Sequence, residues 1–147
     1  MKTYMSNKKA LFNYEVLDTF EAGIQLLGME TKAIKSGKGS LQDAFVVQEG
    51  SEMFIVKMYI PPYQPSNTSS GYDPYQKRRI LLRKSEIARM IREKESAGLT
   101  VVPISLYDKK RLIKVELALV RGKKKFDKRE SLKKRESDRE IRRAFKR

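Results

Sequence analysis

The chain has 147 residues, with 33 Lys and Arg against 18 Asp and Glu, for a net charge of +15; that length suits one domain with an appendage. Cys and His are both absent, which excludes a disulfide framework, a thiolate metal site and the commonest general base and metal ligand. So positive a charge points to polyanionic partners, nucleic acid ahead of an anionic membrane surface. The N-terminus lacks the apolar core of a secretory signal, and no apolar stretch approaches a membrane span, so the cytoplasm is the expected location.

In chain order, ALFNYEVLDTFEAGIQLLG (10–28) alternates through Phe12, Tyr14 and Val16 and resumes at Ile24 and Leu26. This predicts a long strand, bent where Gly23 interrupts it. METKAIKSG (29–37) sets Met29 and Ala33 on one face and Lys32 and Lys35 on another, the pattern of a short helix closed by Gly37. DAFVVQEGSEMFIVKMYI (43–60) reads as two strands joined at EGSE in an antiparallel hairpin. The next segment, 61–76, holds four of the five prolines and is a long loop. SEIARMIREKESAG (85–98) is a helix with Ser85 as N-cap, Gly98 past its end, and an apolar stripe of Ile87, Met90 and Ile91. LTVVPISLY and LIKVELALV are two further strands paired around DKKR (108–111). Five or six strands and two short helices with hairpin-length gaps predict an antiparallel sheet. Closure into an OB-like barrel would remove its edges.

Three stretches could carry chemistry. SNKKALFNY (6–14) places Asn7, Lys8 and Lys9 beside Phe12 and Tyr14: an amide, two phosphate-seeking cations and two rings able to stack on an unpaired base. The same pattern also fits a basic N-terminus leading into a core strand. QKRRILLRK (76–84), as a strand, puts Arg79, Leu81 and Arg83 on one face and Ile80 and Leu82 on the other. That suits a barrel wall against RNA and equally a solvated outer strand. Glu21, Glu30 and Asp43 are scattered carboxylates without the spacing of a metal-dependent nuclease, and no phosphate-cradling glycine loop is present, so neither an enzyme nor a cofactor is expected.

The last segment, 121–147, holds 14 Lys and Arg and 5 Asp and Glu, or +9, leaving +6 for the preceding 120 residues. Nothing in it from Glu130 onward breaks a helix, and Glu136, Arg139, Glu140 and Arg143 offer helical charge pairs. Its few apolar groups cannot offset the entropy of ordering it alone, so disorder is expected in the free chain and order against phosphates.

Together these segments resemble a known family. NKKALFNYEVLDTFEAGIQLLGMETKAIKSGKGSLQDAF, RRILLRKSEI, GLTVVPISLY and RGKKKFDKRE stand in the order and spacing of the small protein B family, the SsrA-binding proteins of bacterial trans-translation. The resemblance implies a mainly β, OB-like antiparallel barrel (1–122) with two or three short flanking helices, and a basic tail (123–147) that becomes helical on the ribosome. It implies binding to the tRNA-like domain of transfer-messenger RNA and delivery, with elongation factor Tu, to the A site of a stalled ribosome. The tail would then sense the empty mRNA channel beside the decoding centre. Matching positions are Asn7, Glu21 and Leu82 (or its neighbour Leu81) for RNA binding, with Lys123, Lys124 and Lys125 meeting phosphates. Lys8, Lys9, Phe12, Lys32 and Lys35 join them as candidate RNA contacts. Asp127, Lys128 and Arg129 open the tail, and Lys133, Lys134, Arg139, Arg142 and Arg143 are its candidate channel contacts. Some relatives carry His where this chain has Phe12, a ring that can stack but not hydrogen-bond. A ribosomal or ribosome-assembly protein is the alternative within binding modules, and a nuclease using Glu21 and Glu30 is the alternative of another class. A monomer is expected, with no membrane association.

Overall fold

A computed structural model describes residues 2–64 and 71–122. The described elements are β1 (Thr3–Ser6), α1 (Lys8–Asn13), β2 (Tyr14–Ile24), α2 (Gly28–Lys35), β3 (Phe45–Glu49), β4 (Glu52–Val56), β5 (Arg78–Leu81), α3 (Lys84–Ala97), β6 (Thr100–Lys109) and β7 (Leu112–Gly122). The strands form one antiparallel sheet in the order β1-β6-β7-β2-β5-β4-β3. Its last strand, β3, comes round to pack beside β6 without a hydrogen-bonded ladder between them. The sheet is thus a partly closed, OB-like barrel.

Alternation builds the interior. Met53 and Ile55 of β4, Ile80 of β5, and Val115, Leu117 and Leu119 of β7 point inward and are almost wholly buried with Ile34, Met58 and Met90. The apolar run in β6 and β7 is denser than strict alternation allows, and α1 explains why. Ala10 covers the other face of the sheet, where Val102, Ile104, Ala118 and Val120 make a second small core. A strand covered on both faces needs no polar side.

Two turns are as the sequence predicts. EGSE closes the β3–β4 hairpin through Gly50 and Ser51, with Glu49 opposite Glu52 and Gly50 at φ +62°. Helix α2 ends with Lys38 N–H donating to Ala33 O and Gly37 N–H to Ile34 O, with Gly37 left-handed at φ +86°.

Several expectations need correction. The long strand does not reach Phe12: residues 8–13 form α1, because the Asn7 side chain caps that turn by accepting from Ala10 N–H. The irregularity in β2 falls between Val16 and Asp18, not at Gly23. Gly23 is instead a close approach, since a Cβ there would stand 3.3 Å from Leu81 Cβ. Ser85 lies inside α3, whose N-cap is Arg83; the Glu86 carboxylate reaches back to the Arg83 N–H at 3.4 Å. The described residues hold seven strands and three helices; β1 and α1 are the additions, both too short for periodicity to show.

The face of β5 expected to be purely apolar carries Arg78, which is 2% exposed. Its guanidinium donates to Glu30 Oε2 from Nε at 2.9 Å and from Nη2 at 2.5 Å, and reaches the carbonyls of Met58 and Pro74. Glu30 also accepts from Leu27 N–H at 2.9 Å and from the Tyr72 hydroxyl at 3.0 Å. A buried ion pair is tolerable only when its remaining donors and acceptors are met, as they are here. The network ties α2, β5 and the described end of the proline-rich segment together.

Candidate nucleic-acid interface

Glu21 stands on β2 between two elements that hold it. Tyr107, on β6 and nearly buried, donates its hydroxyl to Glu21 Oε2. Lys109 Nζ lies 3.0 Å from Oε1 and 3.2 Å from Oε2. These bonds, led by that of Tyr107, lower the Glu21 carboxyl below its ordinary value and keep it ionised. Burial and the neighbouring carboxylate push the Tyr107 hydroxyl well above its ordinary value, so it stays a donor. The result is a fixed anion with one side still open.

That side faces a cleft of about 590 Å³ lined by Glu21, Gly23, Arg79, Leu81, Arg83 and Lys114, among others. The register explains the assembly: Gly23 pairs with both Leu81 of β5 and Lys114 of β7, so β2 carries the middle of the cleft and its neighbours carry the walls. Leu81 is 49% exposed, while Leu82, just beyond β5, is half-buried and packs on the core. Both line the cleft. Arg83 sits at the N-cap of α3, not in the strand, so its alternation with Arg79 and Leu81 ends at residue 81. Arg79 is loosely paired with Glu52 at 3.6 Å. The cleft therefore offers one oriented carboxylate in Glu21, the basic side chains of Arg79, Arg83 and Lys114, and an apolar wall, with Glu52 paired to Arg79 and Glu86 bonded to the Arg83 N–H.

The other candidates are dispersed. Asn7 is 5% exposed, and both its amide hydrogens are used: it donates to Leu41 O at 3.1 Å and Pro103 O at 3.0 Å while its oxygen caps α1. It lines a smaller cleft of about 180 Å³ with Lys9, Asn13 and Tyr14. Lys9 is exposed and pairs with Asp43 at 3.4 Å. Lys8 is exposed at the start of α1, and Phe12 is half-buried near its end. Lys32 and Lys35 stand exposed on α2 and line neither cleft. Lys123, Lys124 and Lys125 and the tail positions Asp127, Lys128, Arg129, Lys133, Lys134, Arg139, Arg142 and Arg143 lie outside the described residues.

Gly23 and Lys114 line the cleft and Tyr107 and Lys109 hold Glu21; sequence reasoning assigned none of the four to a binding site. The Tyr107–Glu21 contact spans 86 positions, and only the β6-β7-β2 order makes them neighbours. Glu30, the second carboxylate of the nuclease alternative, has its oxygens engaged by Arg78, Tyr72 and Leu27. Among the described residues no three acidic side chains gather as a metal cluster would require, and no helix is long and apolar enough to cross a membrane.

Comparison with known proteins agrees with this architecture. The family model described as SmpB protein matches residues 4–147. The SsrA-binding protein of Halothermothrix orenii is 44% identical over 146 residues, covering 99% of this chain and 94% of the relative. That of Trichormus variabilis is 43% identical over 145 residues, with the same coverage. A chain in a solved structure described as "tmRNA-SmpB: a journey to the center of the bacterial ribosome" superposes with a TM-score of 0.69 at 36% identity, covering 90% of this chain and 95% of that one. The chain belongs to the SmpB protein family, whose relatives bear the name SsrA-binding protein.

Proposed function

We propose that this chain binds the tRNA-like domain of transfer-messenger RNA (SsrA RNA) and brings it to stalled ribosomes for trans-translation. The family match across residues 4–147 carries this reading, and the cleft around Glu21 supplies a chemistry that suits it. An ionised carboxylate accepts from base amino groups or ribose hydroxyls, and the basic rim meets phosphates. The chain acts as a binding factor, with no catalytic step and no cofactor.

In this reading Glu21 is the direct reader, Leu81 and Leu82 form the apolar wall, and Lys114, Arg79 and Arg83 supply charge. Asn7 contributes by holding α1 and β6 in place, because both of its amide hydrogens are given to Leu41 and Pro103 and its oxygen caps α1. Lys8, Lys9, Phe12, Lys32, Lys35 and Lys123–Lys125 are outlying contacts to the same RNA. Residues 1–122 form the RNA-binding barrel and residues 123–147 the segment that enters the empty mRNA channel of the small subunit. Elongation factor Tu joins the delivery complex, and the chain works as a monomer in the cytoplasm.

Truncation after Lys125 tests this division. The shortened chain should bind the tRNA-like RNA almost as well as the full chain and fail to support peptide tagging on stalled ribosomes. Loss of RNA binding on truncation, or tagging that persists without the tail, would refute the division.

A further inference from the structure

The β6–β7 hairpin turns through Lys110 and Arg111, with Lys109 opposite Leu112. Both turn residues are left-handed, at φ +51° and +67°. A two-residue turn with positive φ at both centres favours Asn-Gly, and side chains beyond Cβ are strained there. Lys and Arg are poor choices for this backbone, so something other than turn geometry accounts for them.

Their surroundings suggest what. Lys110 and Arg111 are exposed and make no ion pair or hydrogen bond among the described residues. Beside them Leu112 is 60% exposed, more than any other large apolar side chain described. Alternation places Lys109, Leu112 and Lys114 on one face with Tyr107. That face is continuous with the cleft, since Lys114 lines it and Lys109 is bound to Glu21. The nearby acids are Glu21, already bound to Lys109, with Glu116 further along β7 and Asp108 half-buried next to the turn.

We infer that the hairpin tip is a phosphate clamp for structured RNA, extending the track that begins in the cleft. Lys110 and Arg111 engage backbone phosphates, and Leu112 packs against an adjacent ribose or base. This rests on the RNA-binding reading above. The phosphates belong either to the tRNA-like RNA or to ribosomal RNA met on delivery.

The test replaces the two turn residues by the pair the backbone prefers, Lys110→Asn with Arg111→Gly. The fold should be retained or stabilised, which a melting curve checks, so lost binding cannot be attributed to unfolding. Affinity for the clamped RNA should fall about tenfold, and the dependence of log affinity on log salt should weaken by about two contacts. The exchange Lys110→Arg with Arg111→Lys, which keeps both charges, should restore both values. A loss measured on isolated tRNA-like RNA assigns the phosphates to that RNA. A loss seen only when the preformed complex is added to ribosomes assigns them to ribosomal RNA. Unchanged affinity and salt slope in both settings would overturn the clamp while leaving the functional reading intact. A wild-type chain that binds neither RNA would overturn both.

Discussion

The hydroxyl of Tyr107 donates to the carboxylate of Glu21 across three adjacent strands, β6, β7 and β2. One partner is nearly buried and the other faces the cleft, so the bond transmits the rigidity of the barrel to an exposed anion. Tyr107→Phe should keep the fold while letting the carboxylate rotate. RNA affinity should drop about fivefold, the equivalent of one net hydrogen bond of ~1 kcal/mol. Titration of binding against pH gives a second readout. Glu21 titrates below its ordinary value, so binding is retained to low pH and lost as the pH falls through that value. Removing the Tyr107 donor raises the Glu21 value, so the loss should begin at higher pH in the variant.

The Glu30–Arg78 pair should dominate the acid sensitivity of the fold. Glu30→Ala leaves a buried guanidinium without its anion and should cost about 3–5 kcal/mol in urea unfolding. Glu30→Leu combined with Arg78→Met should recover most of that. Burial raises the Glu30 value, but the Leu27 amide and Arg78 outweigh it and the net shift is downward from 4.5. Its contribution is therefore complete above about that pH and fades as the pH falls through the lowered value. The double variant should show a shallower acid limb. At the other extreme, the Tyr72 hydroxyl is pushed up to about 12, chiefly by burial and then by the Glu30 charge. Its contribution is present below pH 10 and lost as the pH rises through about 12; Tyr72→Phe should remove that alkaline slope.

Asn7 makes a cap and two buried hydrogen bonds, so Asn7→Ala should destabilise the chain by about 2–4 kcal/mol. RNA affinity, measured at a temperature where the variant is folded, should change little. A large affinity loss in a fully folded variant would show that Asn7 touches RNA directly.

Gly23→Ala places a Cβ 3.3 Å from Leu81 Cβ. Leu81 must yield by a few tenths of an ångström, which should cost roughly 1 kcal/mol. It should also narrow the cleft, lowering RNA affinity several-fold with only a small drop in melting temperature.

The hairpins, α2 and α3 were legible because each announces itself locally: Gly50 in EGSE, Gly37 and Gly98 past their helices, and alternating apolar residues between. Helix α1 was not legible, because its six residues look like the start of a strand and its stability comes from Asn7 bonding to Leu41 and Pro103, 34 and 96 positions away. The burial of Arg78 is not legible for a similar reason: its partner Glu30 is 48 positions distant. Glu21 could be singled out by resemblance alone. What makes it a fixed acceptor, Tyr107 and Lys109, follows only from strand order. Local pattern reveals elements, whereas buried polar pairs that shape a site depend on topology.

Glu21→Ala compared with the full chain, for affinity to the tRNA-like domain of SsrA RNA and to an ordinary tRNA, tests the central claim most directly. The full chain should prefer the SsrA domain. The variant should lose roughly tenfold or more in affinity, with only a small drop in melting temperature from the lost Tyr107 and Lys109 bonds. Equal affinity of the two proteins, or no preference between the two RNAs, would contradict it.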